Sequence, residues 1–396
     1  MSTSAQSTLA PIDAEALREA EFPAVGSTPF LNAASLGPLP QRSLRAVDAF
    51  NRRRAAGHAL TGDDFEPTLV RARRAAARLV GAHEDEIALL PNTSFGVNLA
   101  AHALPLERGK RIVVSEMEFP ANVYPWLHLQ RTRGMRVGLV PADPLGRPDE
   151  ARLLEALEGG DVAALALSAV QFATGYSADL ARFGRACREA GAFFVVDAIQ
   201  ALGQVPVDVR EAEVDVLVAG GQKWLCSPFG TGFAYVRRDL VARMEPEVVG
   251  WTSMAGVPPD FTEVCDYRYE LVETARRFEV ATQPWQDYAG FAPSVELLLE
   301  TGIDRIRAHV LGLLDPLVEF LEARDGFEVV SDLAPGRRSG VFAFRSRDSG
   351  AAFRALKRAG VVCTLREGSV RVSPHLYNTP ADVAAVIDVL ARGEGW

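Results

Sequence analysis

Three short apolar runs in the middle of the chain most strongly constrain its fold, because each has the length and composition of a buried β-strand. The runs occupy residues 193–196, 214–219 and 233–236. Asp197 directly follows the first run, and Gly220-Gly221-Gln222-Lys223 follows the second. Open α/β sheets bind their ligands beyond the carboxyl ends of parallel strands. The pattern therefore predicts that Asp197 and Lys223 face one pocket.

Strand-like and helix-like segments alternate from about residue 87 to residue 236. Further runs of strand length occupy residues 87–90, 111–115, 137–140 and 162–167. This alternation predicts an α/β fold with a mainly parallel sheet and helices on both faces. The last part of the chain is typical of a smaller α+β unit, with candidate strands at residues 327–331, 339–345, 361–365 and 369–372. We therefore predict a large domain over residues 46–285, a small C-terminal domain over 286–396, and an N-terminal segment, 1–45, that packs with the small domain.

Composition limits the classes of partner. The 396 residues carry a net charge of −9, which does not favour binding to a nucleic-acid backbone. The sequence has no apolar run long enough to span a bilayer, and its first residues lack the basic and apolar regions of a secretory signal. The four cysteines are widely spaced and form no metal-binding pattern with histidine. These features predict a cytoplasmic protein with no metal site and no membrane or nucleic-acid partner.

The pairing of Asp197 with Lys223 indicates a particular cofactor chemistry. A lysine amine forms a Schiff base with an aldehyde, and it is more nucleophilic when a dry site lowers its pKa. A carboxylate held against a pyridine nitrogen keeps that nitrogen protonated and makes the ring an electron sink. Pyridoxal 5'-phosphate (PLP) requires both groups. Alone, Lys223 would be interpreted as a solvated loop lysine and Asp197 as a helix cap, so the hypothesis depends on their occurring together.

The segments around these two residues, VVDAIQALG and GGQKWLCSPFGTGFAYVRR, resemble the class V aminotransferase family. The elements RFEVATQ and RVSPHLYNT, at residues 277–283 and 371–379, are similar to the same family, so the resemblance covers about residues 30–378. It implies the fold of fold-type I PLP-dependent enzymes, with PLP held as an internal aldimine at Lys223. It also implies an amino-acid substrate and a homodimer with shared active sites.

The same resemblance implies which residues contact the cofactor and the substrate. It makes Lys223 and Asp197 the catalytic residues. The further cofactor contacts that it implies are Thr93, Ser94, Phe119, Gln171, Gln200, Gln222 and Thr282. Thr93 and Ser94 would bind the phosphate at a helix N-terminus, and Thr282 would reach the phosphate of the other subunit. Arg371 would bind the α-carboxylate of the substrate through two parallel hydrogen bonds. Asn32 would contact the substrate from an N-terminal loop that approaches it.

The primary functional prediction is a PLP-dependent aminotransferase, based on the prevalence of that activity in the family. The alternative is a PLP-dependent lyase (C–S lyase, cysteine desulfurase or selenocysteine lyase-like) or an epimerase. A catalytically silent PLP-fold binding module is the non-enzyme alternative, and the intact Lys223, Asp197 and Arg371 count against it. Two departures count against a desulfurase: Phe119 replaces a proton-handling histidine, and Cys363 lies in an apolar run that predicts a buried residue.

Overall fold

A computed structural model of the chain describes residues 9–256, 264–265 and 267–393. The strands of the described residues are β1 (Ile87–Leu89), β2 (Arg111–Ser115), β3 (Arg136–Val140), β4 (Val162–Ser168), β5 (Phe193–Asp197), β6 (Val216–Gly220), β7 (Gly232–Val236), β8 (Phe327–Val329), β9 (Phe342–Ser346), β10 (Thr364–Arg366) and β11 (Ser369–Val372). The α-helices are α1 (Ala14–Glu21), α2 (Gln41–Ala55), α3 (Gly62–Val80), α4 (Thr93–Ala103), α5 (Tyr124–Arg133), α6 (Glu150–Leu157), α7 (Leu180–Ala190), α8 (Arg238–Val241), α9 (Trp285–Thr301), α10 (Ile303–Glu322), α11 (Ser349–Arg358) and α12 (Pro380–Arg392).

The large sheet has seven strands in the order β1-β7-β6-β5-β4-β2-β3. The strands from β3 across to β6 are parallel, which confirms the predicted mainly parallel α/β fold. β7 runs antiparallel to β6, because the segment 221–231 between them is too short for a helical crossover. The central strands β4 and β6 are buried along their whole length, and β5 is buried from Phe194 onward, as the continuous apolar runs predict.

The small sheet is antiparallel, with the order β10-β11-β9-β8. The edge strand β10 begins at Thr364, three residues after the start of the predicted strand 361–365. The reason is that the backbone of Val362 is already paired with the N-terminal segment: its N–H donates to the Pro29 carbonyl at 3.0 Å, and its carbonyl accepts from Leu31 N–H at 2.9 Å. The N-terminal segment therefore contacts the small sheet.

Helix α9 lies at the predicted boundary between the two domains, and it packs against α2 and α3. The domain division at residues 45/46 and 285/286 remains a prediction, and its outer ends, residues 1–8 and 394–396, lie outside the described residues. Within the described part of the chain, no helix combines the length and the apolar character needed to cross a membrane.

Candidate active site

Asp197 and Lys223 lie at the carboxyl edge of the large sheet. Asp197 is the last residue of β5, and Lys223 follows the end of β6, the next strand. The Asp197 side chain is 2% exposed, and its Oδ1 accepts a hydrogen bond from Ile199 N–H at 3.0 Å. Burial raises the pKa of Asp197 to about 6, while Lys223 acts in the opposite direction. The charge of each group therefore acts on the other, as expected for side chains that follow neighbouring strands.

Burial lowers the pKa of the lysine, whereas it raises that of the aspartate. The reason is that burial disfavours the charged form of each group. The pKa of Lys223 is lowered to about 8, with desolvation as the largest cause. The negative charge of Asp197 raises this pKa, whereas the positive charges of Arg371 and Arg366 lower it further. A substantial fraction of Lys223 is consequently neutral near physiological pH, which is the form that attacks an aldehyde and accepts a proton.

Phe119 forms one wall of this pocket. The centroid of its ring lies 5.4 Å from Lys223 Nζ and 5.3 Å from the ring of Phe172, which it meets edge-on. The Phe119 side chain is 44% exposed, so its face is accessible to a ligand. A phenyl ring in this position can stack on a planar cofactor but cannot transfer a proton.

The start of helix α4 forms the side of the pocket predicted to bind phosphate. Asn92 caps this helix by accepting a hydrogen bond from Phe95 N–H at 2.9 Å. Thr93 Oγ1 is buried and has no hydrogen-bond partner among the described residues. A helix N-terminus with an unsatisfied hydroxyl favours an anion, since the free N–H groups and the helix dipole attract negative charge. Ser94 follows on the exposed side of the same turn.

Gly220 brings the Gln222 side chain close to this helix start. A Cβ at position 220 would lie 2.5 Å from Gln222 Oε1 and 3.3 Å from Thr93 Oγ1. The absence of a side chain at Gly220 therefore makes room for both polar groups at one place. Thr93, Gln222, Asp197 and Lys223 together fit the phosphate, ring nitrogen and aldehyde of PLP. The role of each of these residues stays a prediction.

Arg371 lies on β11 and extends into the same region from the small domain. It is 2% exposed, donating to the Phe172 carbonyl at 2.6 Å and to Ser35 Oγ at 2.8 Å. Its Nε is buried without a partner, and no carboxylate pairs with it in the described part of the chain. Burial lowers the pKa of Arg371 to about 9. Because a buried cation without a counter-ion is costly, this geometry fits a site that receives an anion from a ligand.

The N-terminal loop lies against Arg371, through Ser35 and Asn32. Asn32 forms a parallel bridge with Ser373, two residues after Arg371. The Asn32 Oδ1 atom is buried and has no hydrogen-bond partner among the described residues. An unsatisfied acceptor at this point fits the predicted substrate contact, because the ammonium or hydroxyl groups of a ligand can donate to it.

The side chain of Gln171, a predicted cofactor contact, forms hydrogen bonds within the protein. The Gln171 amide donates to the Met117 carbonyl at 2.6 Å, and its oxygen accepts from the N–H groups of Ala173 and Thr174. These bonds favour a structural role for Gln171 in shaping its own loop over the predicted contact with the ring.

The side chain of Gln200 also forms hydrogen bonds within the protein, to the N-terminal loop and to the segment after Lys223. Its amide donates to the Ala34 carbonyl at 3.0 Å, and its oxygen accepts from the Trp224 indole at 2.8 Å. Gln200 thus links the N-terminal loop to the residue next to Lys223. The geometry favours this positioning role over a contact with the cofactor.

Thr282 is exposed, and the described residues provide no hydrogen bond to its side chain. It follows Glu279, which forms a buried ion pair with Arg73 at 2.6 Å and so fixes the preceding turn. A contact of Thr282 with a second subunit stays a prediction.

Glu118 is a buried acid in this region that sequence analysis did not identify. It accepts a hydrogen bond from Ser168 N–H at 2.7 Å and another from the Ser168 hydroxyl, and Ser168 pairs with Asp197 across the two strands. Burial raises the pKa of Glu118 to about 7, and the nearby Asp197 charge adds to this effect. Its position before Phe119 was the available signal, but only the strand register reveals its link to Asp197.

The cysteines also bear on the chemistry of the site. Cys187, Cys226 and Cys363 are buried, and Cys265 is exposed. Cys363 is 8% exposed, in agreement with the sequence prediction, and burial raises its pKa to about 12. Burial also raises the pKa of Cys187 and of Cys226 far above the ordinary value for a thiol. These three side chains are therefore poor thiolate nucleophiles at neutral pH.

Known proteins are similar to this chain in sequence and in fold. A probable cysteine desulfurase of Methanothermobacter thermautotrophicus is 28% identical, over 95% of this chain and 97% of its own length. The Bacillus subtilis protein YcbU, an uncharacterised aminotransferase, is 28% identical over 81% of this chain and 82% of its own length. Among solved structures, the complex of the cystine C–S lyase C-DES with its reaction product cysteine persulfide has a TM-score of 0.85. That structure is 21% identical and covers 94% of this chain and 99% of its own.

Residues 30–386 match the family described as Aminotransferase class-V, which is most of the chain. The resemblance drawn from the sequence motifs is thereby confirmed, as is the fold-type I architecture. This protein belongs to the class V aminotransferase family of PLP-dependent enzymes.

Proposed function

We propose that this protein is a PLP-dependent lyase that cleaves the Cβ–S bond of a sulfur-containing amino acid. Sequence analysis treated a lyase as the alternative to an aminotransferase. The names of the relatives favour the lyase, because a full-length relative is a probable cysteine desulfurase and a similar structure is a cystine C–S lyase. The observation within this chain that favours a C–S lyase over a desulfurase is the burial of Cys363.

The side chains of the pocket support each part of this reaction. PLP, when bound, withdraws the electron pair that remains at Cα after a proton leaves. Lys223 Nζ, whose pKa is lowered to about 8, accepts the Cα proton. Arg371 holds the α-carboxylate, and Asp197 binds the ring nitrogen. Phe119 covers the ring without offering a second proton-transfer group.

The overall reaction balances without an oxidant or a reductant. The Cβ–S bond breaks, and its electron pair leaves with sulfur as a thiolate. The remaining three-carbon fragment takes up water and gives pyruvate and ammonium. A desulfurase instead transfers the sulfur to a thiolate of the protein and yields alanine. Cys363, Cys187 and Cys226 are unsuited to that transfer because they are buried and their pKa values are raised.

Product analysis distinguishes these activities. We expect the purified, PLP-loaded protein to release pyruvate and ammonium from cysteine or cystine, in equal amounts. Cys363→Ser should retain most of this activity, because the buried thiol does not take part, and the exposed Cys265→Ser serves as the matched control. Alanine as the product, with a persulfide on Cys363, would instead identify a desulfurase. Conversion of the cofactor to its pyridoxamine form, with a keto acid released, would identify an aminotransferase.

We also propose a homodimer in which Thr282 completes the phosphate site of the partner. Thr282 is exposed in the single chain, and Thr93 Oγ1 has no partner among the described residues. Analytical ultracentrifugation is expected to give a dimer. Thr282→Ala should weaken PLP retention during dialysis, whereas Gln283→Ala, at the neighbouring half-buried position, should not. A fully active monomer would refute the shared site.

A further inference from the structure

The β10–β11 hairpin presents two arginines on one face. Thr364 pairs with Arg371, and Arg366 pairs with Ser369. Directly paired residues of an antiparallel ladder point to the same side, and alternate residues of one strand share a face. Arg366 therefore points to the same side of the hairpin as Arg371, one diagonal step away. Arg371 reaches the Phe172 carbonyl, at the wall of the pocket.

The turn of this hairpin holds Arg366 in a defined position. Only Glu367 and Gly368 separate the paired residues Arg366 and Ser369, and their φ angles are +45° and +76°. Two consecutive left-handed residues are typical of a type I′ turn, which matches the twist of the strands and sets their register. Arg366 is thus the last residue of a paired strand, and the turn fixes its backbone.

Within the described residues Arg366 has no counter-ion, unlike Arg345, which lies two strands away in the same sheet. Arg345, on β9, forms an ion pair with Glu328 at 3.6 Å and donates to Ser369 Oγ at 3.2 Å. Arg366 is exposed, and its Nη1 donates a long hydrogen bond of 3.4 Å to the carbonyl of its neighbour Leu365. Among the residues that the structure describes, no carboxylate lies within ion-pair distance of Arg366.

The charge of Arg366 also acts on the two groups predicted to hold the substrate and the cofactor. It lowers the pKa of Lys223, and it lowers the pKa of Arg371. These effects agree with the hairpin register, which places Arg366 on the same face as Arg371.

We propose that Arg366 binds a second anionic group, at the far end of the substrate side chain. This proposal rests on the lyase function proposed above. The substrate would then be a cysteine thioether or disulfide that carries a carboxylate beyond the sulfur atom. Arg371 holds the α-carboxylate, and Arg366 holds the distal one. The planar guanidinium suits this role because it donates two parallel hydrogen bonds to a carboxylate.

Two acidic residues next to the hairpin offer an alternative, in which the distal group of the substrate is a cation. A cleft of about 350 Å³ next to the hairpin is lined by Glu116 and Glu367 as well as by Arg345 and Ser369. If these carboxylates governed recognition, the distal group of the substrate would be cationic. The unpaired Arg366 and its position beside Arg371 favour an anion.

Three thioethers of nearly equal shape test the charge of the distal group. They are S-carboxymethyl-L-cysteine, S-carbamoylmethyl-L-cysteine and S-(2-aminoethyl)-L-cysteine, which end in an anion, a neutral amide and a cation. We expect kcat/KM for pyruvate release to be about tenfold higher for the anion than for the amide, as for a charge-assisted hydrogen bond. Arg366→Gln should abolish this preference, whereas Arg358→Gln, at an exposed arginine on α11, should preserve it. Equal rates for all three substrates, or a preference for the cation, would overturn the proposal.

Binding without turnover separates this proposal from the lyase function. In calorimetry with the PLP-loaded protein, glutarate should bind more tightly than butyrate, and Arg366→Gln should remove the difference. If no thioether yields pyruvate but glutarate still depends on Arg366, the lyase function fails and the distal anion site stands. If pyruvate forms but neither kcat/KM nor glutarate binding responds to Arg366→Gln, the anion site fails and the lyase function stands.

Discussion

Lys223→Ala is expected to lose both covalent attachment of the cofactor and turnover. The chain has three lysines, Lys110, Lys223 and Lys357, and Lys223 lies beside Asp197 in a site that lowers its pKa to about 8. Loss of a general acid–base group alone costs about 10²–10⁴-fold in rate, and loss of the attachment point adds to this. We therefore expect kcat to fall by at least about 10³-fold.

Borohydride reduction followed by peptide mapping provides the measurement. In the wild-type protein the reduced cofactor should be found on the peptide that contains Lys223. Lys110→Ala and Lys357→Ala are the matched controls, and both should label and turn over like the wild type. Labelling of either control lysine in preference to Lys223, or a wild-type protein that remains colourless with added PLP, would contradict the assignment.

Arg371→Met is expected to remove substrate binding while leaving the fold and the cofactor in place. Losing a charge-assisted contact at a desolvated site costs about 2–5 kcal/mol, so kcat/KM should fall by about 30-fold or more. The unfolding midpoint of the substrate-free protein should stay close to that of the wild type. The reason is that the substitution also removes a buried charge without a counter-ion, which is itself costly.

Three measurements separate binding from folding in this variant. The absorbance of bound PLP should match that of the wild type, KM should rise, and thermal unfolding should be nearly unchanged. Arg358→Met, on the exposed side of α11, is the control and should alter none of the three. A large loss of thermal stability in Arg371→Met, or unchanged kinetics toward the true substrate, would show that Arg371 is structural.

The predicted strands agree with the structure best where one short segment contains the whole signal. Residues 111–115 were predicted as a strand and form β2 with those bounds. The runs that became β4, β5 and β6 are apolar throughout, which is typical of strands covered on both faces. A polar residue directly after such a run must lie at the carboxyl edge of the sheet. This is why Asp197 and Lys223 could be assigned to one pocket.

The cofactor contacts of Gln171 and Gln200 stay predictions, because they depend on hydrogen-bond partners. Gln171 and Gln200 have the residue type and position expected of cofactor contacts. Their amides, however, bond to Met117, Ala34 and Trp224, which are far from them in sequence. Side-chain amides are satisfied by whichever donor or acceptor the fold brings near, and local sequence does not encode that choice.

The sequence by itself determined the α/β alternation, the family, and the position of Lys223 as the candidate for cofactor attachment, because each depends on short-range patterns. Only the tertiary structure decided that Arg371 is buried with no counter-ion among the described residues, and that Arg366 lies on the same face of the hairpin. It also decided that Glu118 is linked through Ser168 to the strand position of Asp197. The physical reason is that burial, charge pairing and strand register are properties of segments far apart in the chain, which acquire them only when those segments pack together.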